Sequence, residues 1–217
     1  MVDLDDLASF KGIDPDNMLG HISGFPQQCR NAWENAQRIT LPDRYRQARS
    51  IVVLGLGGSA IGGDLVRTLV QEECPLPIII HRDYSLPASV GPETLVIASS
   101  YSGNTEETLI TAQAASDVGA SVVAITTGGR LAEWAEENKL PAIRFSYISQ
   151  PRAAVGYSFS LVLGILCRLG WVADKTPDMR EAIAVTEGWQ TEIRETVPAA
   201  RNEAKQVAQW LWGCVPV

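Results

Sequence analysis

The 217-residue chain carries a formal charge of −7 and a sequence pI of about 4.9, with no run of basic residues, which argues against a surface for a nucleic-acid backbone. Its four cysteines lie far apart with no C-x-x-C pair and only two histidines accompany them, so neither a metal site nor a disulfide framework is indicated, and a reducing cytoplasm fits best. Residues 1–6 are acidic where a signal peptide would be basic, and the longest apolar run, 159–167, is too short to span a bilayer, so no membrane partner is expected.

From residue 2 to 40 apolar positions recur at helical spacing, interrupted by Gly12, Pro15, Gly24 and Pro26, which predicts a helical lead-in over 1–42. The composition changes at Leu41-Pro42, and SIVVLGL (50–56) is a fully apolar run suited to a strand buried on both faces. Gly57-Gly58-Ser59-Ala60 follows, then a helical pattern through Ile61, Leu65, Val66, Leu69 and Val70. Further strands are predicted at 78–80, 94–98, 121–126 and, more weakly, 142–145, with helical segments between most of them. Strands alternating with helices imply right-handed crossovers, hence an α/β fold with a doubly wound, mostly parallel five-stranded sheet over 43–150. From Pro151 the pattern turns helical, with a mostly apolar helix over 153–169 and amphipathic ones over 177–197 and 202–212. Residues 213–217 read as the opening of another strand, so the chain is expected to be part of a longer protein.

Two loops carry the chemistry. Ser99-Ser100-Tyr101-Ser102-Gly103-Asn104-Thr105 joins an apolar strand to a helix that opens with Glu106 and Glu107. Glycine and asparagine accept the left-handed backbone of a tight turn, and the free amides of a helix start suit an anion, so the loop is a candidate phosphate cradle. A simple helix N-cap is the alternative, but one cap needs one hydroxyl and here Ser100, Ser102 and Thr105 all stand close together. Gly57, Gly58 and Ser59 end the first strand in the same manner, and if the two strands are neighbours both loops face one crevice. With no G-x-x-x-x-G-K-[ST] present, a small phosphorylated metabolite fits better than a nucleoside triphosphate. GLGGSA (55–60) also matches the dinucleotide fingerprint G-x-G-x-x-A, with Asp83 placed as a ribose-binding acid. The SGNTE segment is similar to the phosphate loop of flavodoxins, but there the loop follows the first strand and here it follows a later one.

The three segments GLGGSAIGGD (55–64), SSYSGNTEETL (99–109) and PRAAVGYSF (151–159) together resemble, in order and spacing, the bifunctional phosphoglucose/phosphomannose isomerase family of sugar isomerase (SIS) domains. MLGHISGFPQQCRNAW (18–33) is similar to that family's lead-in. The resemblance implies a flavodoxin-like SIS fold, two SIS domains in the whole protein with 151–217 leading towards the second, a homodimer, and no cofactor. It implies interconversion of glucose 6-phosphate or mannose 6-phosphate with fructose 6-phosphate. Ser59, Ser100, Ser102 and Thr105 would hold the phosphate, and Arg152 would face C1 and C2 and stabilise the enediolate. The family's base, ring-opening histidine and lysine lie beyond residue 217, so no base is assigned and the chain alone is expected to be inactive; His21 and His81 are expected to be structural. A SIS module that binds sugar phosphates as a sensor, without turnover, is the alternative.

Overall fold

The computed structural model describes residues 3–215. Five parallel strands form one sheet in the order β2-β1-β3-β4-β5, with β1 Ser50–Leu54, β2 Ile78–His81, β3 Thr94–Ser99, β4 Ser121–Thr126 and β5 Ala142–Arg144. The apolar runs of the inner strands follow from burial on both faces. Ile51, Val53, Leu95, Ile97, Val123 and Ile125 face one core, and Val52, Leu54, Val96, Ala98, Val122 and Ala124 face the other. β5 lies at an edge and shows the matching signature, with only Ile143 of its three residues buried.

The first core is covered by α3 (Phe25–Arg38), α4 (Gly58–Leu69), α7 (Val155–Leu169) and α8 (Thr176–Ile193), through side chains such as Trp33, Val66, Leu161 and Ile183. The second is covered by α5 (Glu106–Asp117) and α6 (Gly129–Glu137), through Leu109, Ala112 and Leu131. Short helices α1 (Leu7–Ile13) and α2 (Met18–Ser23) precede α3, and α9 (Glu203–Leu211) follows α8. Pro26 does not break α3: it stands in the first turn, where its missing N–H leaves no helical bond unmade. Gly164 of α7 faces the Ala36 methyl, and the missing side chain lets α3 and α7 approach closely.

The apolar helix expected over 153–169 opens as a 3-10 turn, Pro151–Ala154, and becomes α-helical at Val155. The span Pro151–Leu169 is long and apolar enough to cross a bilayer by composition, but 72% of it is buried inside the protein, as befits a core helix. The strand expected over 213–217 does not form at Cys214 and Val215, and Pro216 and Val217 lie outside the described residues.

Candidate functional site

β1 and β3 are neighbours, so the loops that follow them leave the same edge of the sheet side by side. From β1 the chain passes to β2 on one side, and from β3 to β4 on the other, which places both loops at the crevice where strand order reverses.

In the first loop Gly57 takes φ +51° and ψ −124°, a backbone hostile to a side chain, and turns the chain into α4. Ser59 N–H donates to Leu56 O at 3.0 Å and Ala60 N–H to Gly57 O at 3.1 Å, leaving the amides of Gly57 and Gly58 without a partner among the described residues. In the second loop Gly103, at φ +70°, lets the chain double back so that its N–H reaches Ser100 O at 3.2 Å and Ser100 Oγ at 3.1 Å. The Ser100 hydroxyl, in a side chain only 2% exposed, donates to Thr105 Oγ1 at 2.9 Å. Ser100 thus shapes the loop from beneath.

Three other hydroxyls keep their protons free. Ser59 Oγ accepts from Tyr101 N–H at 3.1 Å, which ties the two loops together, and Ser102 Oγ accepts from Asn104 N–H at 3.2 Å. Thr105 Oγ1 accepts from Ser100 and makes no cap bond of its own. The amides of Ser102, Thr105, Glu106 and Glu107 have no partner among the described residues. Two helix starts therefore converge with unpaired amides, partial positive charge and three hydroxyl donors, an arrangement suited to an anion with several oxygens. The loop is also pinned from behind. Asn104 Oδ1 accepts from Arg130 N–H at 3.1 Å, capping α6 rather than reaching forward, and Gly103 O accepts from Leu131 N–H at 2.9 Å.

The third motif packs against the first. A Cβ on Gly58 would lie 2.5 Å from Pro151 O and 2.9 Å from Arg152 Cα, so the Pro151-Arg152 backbone rests directly on the start of α4. Asp83 Oδ1, the candidate ribose-binding acid, accepts from Tyr84 N–H at 2.6 Å. Arg152 is exposed, and its guanidinium has no hydrogen-bond or ion-pair partner among the described residues. It lines a cavity of about 250 Å³ together with His21, Phe25 and Trp189.

Of the carboxylates nearby, Glu106 accepts from Tyr84 OH at 3.4 Å, and with Glu107 it stands in the first turn of α5, where negative charge complements the dipole. His21 is held at Nδ1, 2.8 Å from Tyr147 OH, while His81 leaves a buried Nε2 without a partner. No group of three or more potential metal ligands occurs among the described residues. Three residues that sequence patterns did not single out, Tyr101, Tyr147 and Gln28, join the loops to the Arg152 segment. Their partners lie far along the chain, as in the Gln28–Tyr147 bond across 119 positions, so no local spacing announces them.

Residues 44–139, which take in β1 to β4 and both loops, match the family model described as the SIS domain. This segment is a SIS domain. The chain is 41% identical over 200 residues to a bifunctional phosphoglucose/phosphomannose isomerase of Caldicellulosiruptor bescii, covering 92% of this chain and 59% of that one. A second protein of that name, from Aquifex aeolicus, is 30% identical over 197 residues, covering 90% of this chain and 55% of the relative. These relatives bear out the resemblance drawn from the three motifs. A solved structure of a hypothetical protein from Thermus thermophilus shares the fold with a TM-score of 0.64 at 22% identity, covering 96% of this chain and 51% of that one. The SIS-domain chain thus spans less than two thirds of the curated relatives it matches.

Proposed function

We propose that this chain is the phosphosugar-binding half of an aldose-ketose isomerase that interconverts glucose 6-phosphate, and mannose 6-phosphate, with fructose 6-phosphate. The observation that supports it most is the convergence of free amides and hydroxyls from two helix starts, with an unpaired arginine on the segment that touches them. In this proposal the amides of Gly57 and Gly58 and the hydroxyls of Ser59, Ser102 and Thr105 bind the phosphate, while Ser100 sets the loop. Hydrogen bonds to a charged group contribute about 1.5–3 kcal/mol each, so a few of them hold a dianion without a lysine in either loop.

Isomerisation moves one carbon-bound proton and one hydroxyl proton. A base takes the proton at C2, the C–H electron pair forms the C1–C2 double bond, and the carbonyl oxygen O1 becomes the enediolate oxyanion. Passage of the O2 hydroxyl proton to O1, formation of the C2 carbonyl and return of the carbon-bound proton to C1 complete the exchange with no net oxidation, so the reaction calls for no redox cofactor. Arg152 is the group proposed to face that oxyanion, where a fixed guanidinium lowers the barrier by several kcal/mol. The base and the ring-opening group are proposed to come from a second SIS domain or a second copy. The apolar stripe Ile61, Leu65 and Leu69 on α4, left 43%, 46% and 58% exposed, is a surface such a partner would cover. All four cysteines are free thiols, in keeping with the proposed reducing cytoplasm.

Titration calorimetry of the chain with glucose 6-phosphate, fructose 6-phosphate and the unphosphorylated sugars tests this function. Both phosphates should bind and the free sugars should not; equal affinity for glucose and glucose 6-phosphate would rule it out.

A further inference from the structure

Between β5 and the 3-10 turn at Pro151 the chain runs through residues 145–150 without regular structure. Arg152 follows in the turn that opens α7, with its backbone against Gly58, and side chains from three distant parts of the protein tie down the segment that leads to it. Tyr101, whose N–H donates to Ser59 Oγ at 3.1 Å, donates its hydroxyl to Tyr147 O and accepts from Ser149 N–H at 2.8 Å. Tyr147 OH accepts from Gln28 Nε2 at 2.9 Å, and the same amide donates to Ala153 O, next to Arg152, at 2.9 Å. Gln28 is 2% exposed, and its amide nitrogen also reaches His21 O at 3.3 Å, so its two protons are shared among three acceptors. The Tyr147 hydroxyl also lies 2.8 Å from His21 Nδ1, so it bridges Gln28 and His21. Burial pushes the Tyr147 phenol pKa up, which keeps the hydroxyl protonated. The Tyr147 ring packs on Tyr157 at 5.2 Å between centroids, and Tyr157 stacks on Phe145 at 4.4 Å, so the relay is held in a fixed aromatic wall.

We propose that Tyr147, Gln28 and His21 are positioning residues that hold Arg152 in register with the two anion-binding loops, an inference that rests on the role proposed for Arg152 above. Tyr147 serves both ends, its carbonyl bonded towards Ser59 through Tyr101 and its hydroxyl bonded towards Ala153 through Gln28. Breaking the hydroxyl end removes one support of the Arg152 segment while leaving the Ser59–Tyr101 bond between the loops in place. A buried network of this kind transmits position because the Gln28 amide nitrogen and the Tyr147 hydroxyl bond to both sides of it, although Gln28 Oε1 is buried without a partner among the described residues.

The test compares two probes by calorimetry on the whole chain. Inorganic phosphate reports on the loops alone. 5-Phospho-D-arabinonate adds a planar carboxylate at the place of the enediolate oxygens and so reports on Arg152 as well. Tyr147→Phe, which keeps the ring and its packing, should weaken the arabinonate about three- to tenfold, the size of one lost neutral hydrogen bond, while phosphate affinity stays within about twofold. In an Arg152→Ala background the same substitution should have no effect on either probe, because the two residues act through one interaction. Gln28→Met should repeat the pattern should Tyr147→Phe lower stability too far to measure. Equal weakening of both probes, or the same loss with and without Arg152, overturns the positioning role. If Arg152→Ala itself leaves the arabinonate affinity unchanged, the assignment of Arg152 fails first and the relay falls with it.

Discussion

Replacing Gly103 by alanine is a direct perturbation of the second loop, and its size follows from local geometry. Gly103 stands at φ +70°, where an L-residue is disfavoured by about 1–2 kcal/mol. Its new Cβ would also press on Gly128 O and lie 2.8 Å from Thr126 Oγ1, so the 100–105 and 126–129 segments would have to part. Overpacking of that kind costs about 1–3 kcal/mol. Together the two effects amount to roughly 2–5 kcal/mol, which for a chain of this size lowers Tm by roughly 6–15 °C. Parting the segments also withdraws Ser102 and Thr105, so phosphate affinity should fall at least about tenfold through loss of one charge-assisted bond. Gly188→Ala is the contrasting case. A methyl there meets nothing within 4 Å on α8, so the same change should stabilise by about 0.5–1 kcal/mol through helix propensity and leave phosphate binding alone. Thermal unfolding followed by circular dichroism, with calorimetry for phosphate, reads both. A Gly103→Ala protein with unchanged Tm and phosphate affinity would refute this account of the loop.

Ser102→Ala should weaken glucose 6-phosphate binding by roughly ten- to one-hundredfold with Tm unchanged, whereas Ser100→Ala should lower both, because Ser100 holds Gly103 and Thr105 in place; calorimetry beside thermal melts distinguishes them. In a protein with turnover, Arg152→Lys should lower kcat more than it raises KM, since the charge acts mainly on the enediolate; a rise in KM alone would make Arg152 a substrate clamp. Stability should fall in acid. Hydrogen bonding from Lys175 holds the Glu73 carboxyl below its ordinary 4.5, the Lys205 bond holds Asp5 below 3.8, and the backbone amides of Leu19 and Met18 do the same for Asp14. For a carboxyl lowered on folding, the stabilisation is complete above the unfolded-state pKa and disappears as pH falls through the folded value, so Tm should drop below about pH 4. Glu73→Gln should make that decline shallower, and an unchanged acid limb would show that the Lys175 pair contributes nothing.

The parts of this protein that were legible from sequence are those whose cause is local. β4 was bounded correctly because Ser121–Thr126 is buried at every position and so is apolar almost throughout. The two loops were legible because glycines, hydroxyls and helix starts leave a compact signature. Within the second loop, however, a run of hydroxyls did not separate Ser100, which turns inward, from Ser102, which stays exposed; that difference depends on Gly103 bringing its amide back over Ser100. Nor did spacing show that Asn104 caps α6, since Arg130 comes from another unit of the fold. The Tyr147–Gln28–His21 relay was illegible for the same reason, as His21 and Tyr147 meet across 126 positions and single polar residues carry no period.

The central claim is that the two loops hold the phosphate of a hexose phosphate, and the most direct measurement is a crystal structure of the chain grown with glucose 6-phosphate. The account predicts phosphate density in the crevice between β1 and β3, with its oxygens within about 3.2 Å of Ser59 Oγ, Ser102 Oγ and the Gly58 amide. Phosphate density elsewhere on the protein, with that crevice holding only water at saturating ligand, would contradict it.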